Sequence, residues 1–256
     1  MFNPELSQKY ENKKEPEIEK LFGHCFEIRR IENGQLIPVG GDNLFSQEAN
    51  INVGGDFENM KSWFDKMEDT KSKITENKDL MVWAEKQGLD SNIFASIGSF
   101  TKVFEKMYSP SEDTSSSRQK LYQEKKTNIK LSDILGKGYG ECAEIAAIAQ
   151  YWLQQQGIDS SYFSGNVLWE KDNEFSENHS FIIIKQGDKS LIFDPTNPTK
   201  TTSGNFPSIY NFDVDFNKEV RKNKKIFIAA KNILSNKKTY FGVNNGTNVD
   251  EINILN

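Results

Sequence analysis

Between Asp56 and Thr70 the apolar residues Phe57, Met60, Trp63, Phe64 and Met67 return at helical spacing with charged residues between them. This predicts an amphipathic helix packed on a core. Asp79 to Gln87 and Ser91 to Met107 carry the same period, are divided by Gly88, close near Pro110, and read as two further helices. The polar tract Ser109-Pro110-Ser111-Glu112-Asp113-Thr114-Ser115-Ser116-Ser117 then offers little to bury and reads as an exposed loop. It divides a mainly helical N-terminal region, residues 1–115, from a core with C-terminal strands, residues 116–256.

The pattern changes after Gly140. Cys142, Ile145, Ala146, Ala149, Trp152 and Leu153 form one helical stripe among good helix formers, and Gly157 stops it. Short apolar runs follow at residues 161–168, 180–185, 190–194 and 225–229, separated by turn residues, and read as strands. One helix followed by successive strands predicts an α+β fold, with the helix packed on an antiparallel sheet.

Composition narrows the classes. Of 256 residues, 36% are hydrophobic and 18 are Phe, enough apolar material for a buried core. The net charge of −5 repels phosphate backbones, so no nucleic-acid partner is expected. The densest basic run, Arg221 to Lys225, reads as a solvated strand entrance. No apolar stretch reaches membrane-span or signal-peptide length, which predicts a cytoplasmic protein with no membrane span. Two cysteines (Cys25, Cys142) and two histidines (His24, His179) make neither a disulfide framework nor a metal cluster. No cofactor is implied either: Gly40-Gly41-Asp42 and Gly54-Gly55-Asp56 lack a phosphate-loop lysine and read as turns, as does Asn245-Gly246-Thr247. His24 and Cys25 are adjacent, and adjacent strand residues point to opposite faces.

Cys142 follows Gly138-Tyr139-Gly140-Glu141 and opens the predicted helix, where unpaired N–H groups and the positive end of the helix dipole favour a negatively charged sulfur. A glycine at 140 lets a substrate backbone approach, and the Cys142 N–H is a natural oxyanion donor. Tyr139, Gly140 and Glu141 are therefore assigned to oxyanion and substrate binding. A buried structural thiol is the competing reading, because free cysteine is among the most buried residue types.

His179 precedes the apolar run from Ser180 to Ile184, and Asp194 ends the run Leu191-Ile192-Phe193 before Pro195. If Gly187-Asp188 is a two-residue hairpin loop, Gln186 faces Lys189 and Phe181 faces Asp194. His179 shares the parity of Phe181, so it lies on the face of Asp194 as a diagonal neighbour, typically ~7–8 Å away, within side-chain reach. Cys142, His179 and Asp194 then read as nucleophile, base and orienting carboxylate.

These elements carry a family resemblance. Gly140-Glu141-Cys142-Ala143-Glu144 with its Ala-rich helix, Gly157-Ile158-Asp159 then Gly165, Asn178-His179-Ser180-Phe181, and Phe193-Asp194-Pro195-Thr196 resemble the transglutaminase-like superfamily of papain-related enzymes. The resemblance covers roughly residues 136–197. It implies a papain- or transglutaminase-like core with Cys142, His179 and Asp194 as its triad. Phe181 stands where the family often has Trp, and Asp159 where it usually has Pro. The family's second oxyanion donor comes from an upstream Trp or Gln; Trp83, Gln119, Tyr122 and Gln123 are the upstream residues here.

The expected activity is cysteine-dependent acyl transfer on a protein amide through a thioester, of protease, glutamine deamidase or transglutaminase type. The alternative is a non-catalytic protein-binding module. Segments around the core suit a bacterial protein delivered into host cells to modify a host protein. On this reading residues 1–115 select the substrate or form a lid.

Overall fold

In the computed structural model the described residues are 17–21, 25–39, 52–125, 129–169, 176–202, 204–223, 225–244 and 253–255. His24, Gly40-Gly41-Asp42 and Asn245-Gly246-Thr247 lie outside them. Four short strands come first: β1 (Ile18–Lys20), β2 (Phe26–Ile28), β3 (Leu36–Pro38) and β4 (Asn52–Gly54). The region expected to be mainly helical thus begins with strands too short to show a period, held by pairing: β1 on β2, β2 on a longer strand of the second half, and β3 on β4.

Helices occupy the next stretch. A 3₁₀ turn at Phe57–Met60 leads into α1 (Lys61–Glu76), then α2 (Lys78–Lys86) and α3 (Ser91–Met107). The start of α3 is fixed by Asp90, whose carboxylate accepts the Ile93 N–H at 3.0 Å. The serine-rich tract departs from expectation, because α4 (Thr114–Lys125) begins inside it. This helix is polar overall and is held both by Leu121 and Tyr122 in the core and by the buried Arg118 paired with Glu144. Then follow α5 (Leu131–Gly136) and α6 (Cys142–Gln155), the latter stopped at Gly157, whose φ of +70° suits glycine.

Six longer strands follow: β5 (Ser160–Trp169), β6 (Glu177–Gln186), β7 (Lys189–Thr201), β8 (Gly204–Phe212), β9 (Lys225–Asn232) and β10 (Lys238–Asn244), with α7 (Phe216–Lys222) between β8 and β9. Each pairs antiparallel with the next, and β5 pairs with β6 through one edge and β10 through the other, so the ring closes. The papain-like α+β core, a helix on an open antiparallel sheet, is therefore corrected to a closed six-stranded antiparallel barrel with extra strands and surrounding helices. Strand β2 extends the sheet from the first half of β5, and β11 (Asn253–Leu255) adds parallel to β9.

Alternation explains the closure. Phe163, Val167, Phe181, Ile183, Ile192, Tyr210, Ile226, Ile228, Phe241 and Val243, from all six strands, form one buried cluster joined by Phe216 and Val220 of α7. This is the barrel interior. Their neighbours Tyr162, Ile182, Ile184, Leu191, Phe193 and Ile209 pack with the helices in a second cluster. Buried on both faces, β6 and β7 read as continuous apolar runs, and such runs do not disclose whether a sheet closes. The Arg221–Lys225 run is also more than a solvated entrance: Arg221, in the last turn of α7, bonds Glu19 at 3.0 Å and the buried Glu27, tying α7 to β1 and β2.

Candidate active site

The approach to α6 is built from close contacts. Gly138 turns the chain at φ +72°, where an added Cβ would lie 2.3 Å from the Ser109 carbonyl oxygen. Tyr108 donates its hydroxyl to the Gly140 carbonyl at 2.6 Å, and burial pushes this phenol up to about 12, so it stays a donor. Gly140 is itself buried, and a Cβ there would meet Leu135 Cδ2 at 2.6 Å. The glycine thus serves packing against α5. Glu141 donates its N–H to Glu144 Oε2 at 3.0 Å and closes the first turn, as a capping residue does. Cys142, half-buried, stands at the head of the helix.

The hairpin forms as the spacing predicts. Gln186 faces Lys189 and the ladder runs back to Ile182 facing Phe193, with Gly187 at φ +60° in the loop. His179 keeps step with Phe181 and Ile183, and Asp194 with Ile192, so both face the barrel side at its rim. They meet directly: His179 Nε2 lies 2.9 Å from Asp194 Oδ2, with His179 7% exposed and Asp194 fully buried. A carboxylate can only accept, so Nε2 carries the proton and Nδ1 is left for another partner. Trp169 covers the imidazole edge-on, with ring centroids 5.9 Å apart.

A break in the β7–β8 ladder makes the Asp194 environment. Asp194 faces Ser208, but pairing resumes only at Thr199 facing Phe206. The intervening N–H groups, released from the ladder, turn onto the carboxylate: Thr196 and Asn197 donate backbone N–H to Oδ1 at 3.0 and 3.3 Å, and Asn197 Nδ2 donates to Oδ2 at 3.1 Å. Burial disfavours the carboxylate, but His179 and these donors outweigh it and hold Asp194 below the usual carboxylate range. Burial likewise works against the imidazolium, yet Asp194, by charge and hydrogen bond, and Cys142, by hydrogen bond and charge, hold His179 well above the ordinary histidine value.

Asp194 thus holds His179 directly, and Cys142 bears on the same imidazole electrostatically. Cys25 differs: it is buried, its Sγ lies 3.5 Å from Asn166 Oδ1, and burial pushes its thiol up to about 11. The Glu141 carboxylate is directed to α4, accepting from Ser115 at 2.5 Å and lying 3.2 Å from Arg118 Nη1. Tyr139 is half-buried against the core. Of the upstream residues, Trp83 packs on Phe94 and Phe206, the Tyr122 hydroxyl bonds Glu144, Gln123 is exposed, and Gln119 is half-exposed on α4.

Sequence reasoning missed Asn197, Trp169, Glu144 and Arg118. Glu144 carried a signal, three residues past the helix N-cap. Arg118 carried none, because its partners are set by tertiary packing. A surface pocket lined by Arg29, Arg30, Gln154, Gln155, Ile158, Asp159 and Ser160 lies at the far end of α6 from Cys142. Among the described residues no group of His, Cys, Asp and Glu is arranged to hold a metal, and no helix is long and apolar enough to cross a membrane. Compared with protein-family models and with curated proteins, the chain matches none.

Proposed function

We propose that this chain is a cysteine-dependent acyl-transfer enzyme acting on a protein amide. The observation that carries the proposal is a buried imidazole whose Nε2 is held 2.9 Å from a carboxylate and whose raised value owes part of its rise to a half-buried thiol at a helix N-terminus. In the reaction the Cys142 thiol passes its proton to His179 and Sγ attacks the amide carbon while the C=O electrons move to oxygen, and the N–H groups at the start of α6 face that charge. The imidazolium of His179 gives its proton to the leaving amine as the C–N bond breaks, leaving a thioester. Water or a second amine, deprotonated by His179, then adds to the thioester carbon, the C–S bond breaks, the acyl group leaves as the acid or the new amide, and His179 returns its proton to Sγ. Asp194 keeps the imidazole in one tautomer and stabilises its charged form. A reduced, cytoplasmic setting suits a free nucleophilic cysteine.

The test is the pH dependence of iodoacetamide alkylation at Cys142 and Cys25, read separately by peptide mass spectrometry in the native chain and in His179→Ala. Cys142 is expected to label near neutral pH while Cys25 does not, and His179→Ala to slow that labelling by about tenfold or more. If Cys142 labels no faster than Cys25, or only once the chain unfolds, the thiol is structural and the fold is a binding module.

A further inference from the structure

In the helical turn that Cys142 opens lies a buried ion pair that the proposed chemistry does not use. Glu144 is fully buried in the first turn of α6, and Arg118 of α4, also buried, donates Nε to its Oε1 at 2.8 Å. Arg118 Nη1 lies 3.2 Å from Glu141 Oε2, and Nη2 donates to the Val39 carbonyl at 3.1 Å. The Tyr122 hydroxyl donates to the same Glu144 oxygen, and its ring lies 4.9 Å from the guanidinium. Buried ion pairs of this kind are often dispensable for stability, since well-packed apolar residues frequently replace them without loss.

Position gives this pair a different consequence. The buried Tyr162 of β5 is held protonated, by burial first; Cys142 and Glu144 add to this as negative neighbours and Arg118 opposes it as a positive one. One side chain thus registers the thiol, the carboxylate and the guanidinium together. The titratable and charged groups on the elements that meet at the start of α6 are His179 of β6 with Asp194 of β7 behind it, Tyr162 of β5, Tyr108 after α3, Arg118 and Tyr122 of α4, and Glu141 and Glu144 at the helix start itself. Two of them are carboxylates within one helical turn of Cys142, and both touch Arg118. A buried carboxylate so placed opposes a second anion nearby.

We infer that Arg118 is a positioning residue acting through Glu144: Glu144 ties down the turn that presents Cys142, and Arg118 cancels its charge so that negative charge can develop on the sulfur. This rests on the proposed nucleophilic role of Cys142. It also joins α4 and the end of β3 to the chemistry, because the same guanidinium holds Val39.

The experiment uses the full chain and the alkylation profile of Cys142 against pH in Arg118→Gln, Glu144→Gln and the double variant, with circular dichroism and thermal melting on each. Arg118→Gln is expected to move the profile to higher pH by roughly one unit, Glu144→Gln to move it lower, and the double variant to return it towards the native position. A purely structural clamp lowers melting temperature without moving the profile, and unmoved or same-direction profiles overturn the inference. Should Arg118→Gln fail to fold, Glu144→Gln, isosteric and still able to accept the Glu141 N–H, decides the sign alone. His179→Ala separates the two levels. A native profile that depends on His179 beside unmoved glutamine variants overturns only this inference, and a native profile indifferent to His179 overturns the reading of the site and this inference with it.

Discussion

His179 and Asp194 shift in opposite directions, and each shift has a sign for stability. Burial opposes the His179 charge, but Asp194 and Cys142 raise its value well above 6.5. Its contribution is therefore complete below the unfolded value and is lost as pH rises through the raised folded one. Asp194, held low against its burial, contributes above the unfolded carboxylate range and loses that contribution as pH falls. The melting-temperature gap between the native chain and His179→Gln should be widest near pH 5 to 6, on the order of the ordinary histidine value, and should narrow as the solution becomes alkaline. A gap that widens with pH would show that the imidazole is buried neutral. Cys142 and Cys25 supply a second contrast, one half-buried beside a raised imidazole and one buried with its thiol near 11.

Helix α6 is held from outside the strands it packs on. Gln150 Nε2 donates to the Arg29 carbonyl at 3.0 Å, the Ile31 N–H donates to Gln154 Oε1 at 3.0 Å, Gln154 Nε2 bonds the Ile31 carbonyl, and Trp152 donates to the Ser96 carbonyl at 2.9 Å. With Arg118 on Val39 and Tyr108 on Gly140, residues of the first half build the turn that presents Cys142. A segment that only selects substrate or forms a lid, as the sequence suggests for residues 1–115, would leave small-reagent reactivity at Cys142 when removed. These contacts predict the reverse: deleting residues 1–115 should abolish native alkylation of Cys142 together with the fold, as read by labelling and circular dichroism. Retained labelling at native rate would show that the region is an appendage.

Barrel closure depends on positions where two backbones touch. At Gly242 of β10 an added Cβ would lie 1.8 Å from the Ile226 carbonyl oxygen of β9, and at Gly165 of β5 one would lie 2.7 Å from the Gly242 oxygen. Neither backbone can retreat without opening the ladder. Gly242→Ala should therefore cost about 3 kcal/mol or more in denaturant unfolding. Gly187→Ala, in open space on the hairpin loop with φ +60°, should cost roughly 1 kcal/mol from its left-handed backbone alone. Equal losses would mean that the β9–β10 contact yields. Because β6 and β7 are staves of the closed barrel, Gly242→Ala should also slow Cys142 labelling, although it lies far from Cys142 in sequence.

Much of the site was legible from local chemistry. A helix opening at Cys142, a two-residue loop at Gly187-Asp188 and the period-two alternation that follows were enough to place His179 and Asp194 on one face, because each depends on a few neighbouring residues. Helix α3 was legible for the same reason, with Asp90 before it and a clear apolar period within it. What the tertiary structure alone decided was long-range: that β5 takes β6 on one edge and β10 on the other, that Phe26 to Ile28 finds β5, and that a serine-rich tract winds into α4. Ladder closure and the capture of Glu144 by Arg118 join residues far apart in the chain, and no local period records them. Local sequence determined which side chains open a helix or share a strand face, and packing decided the charges and walls among which they stand.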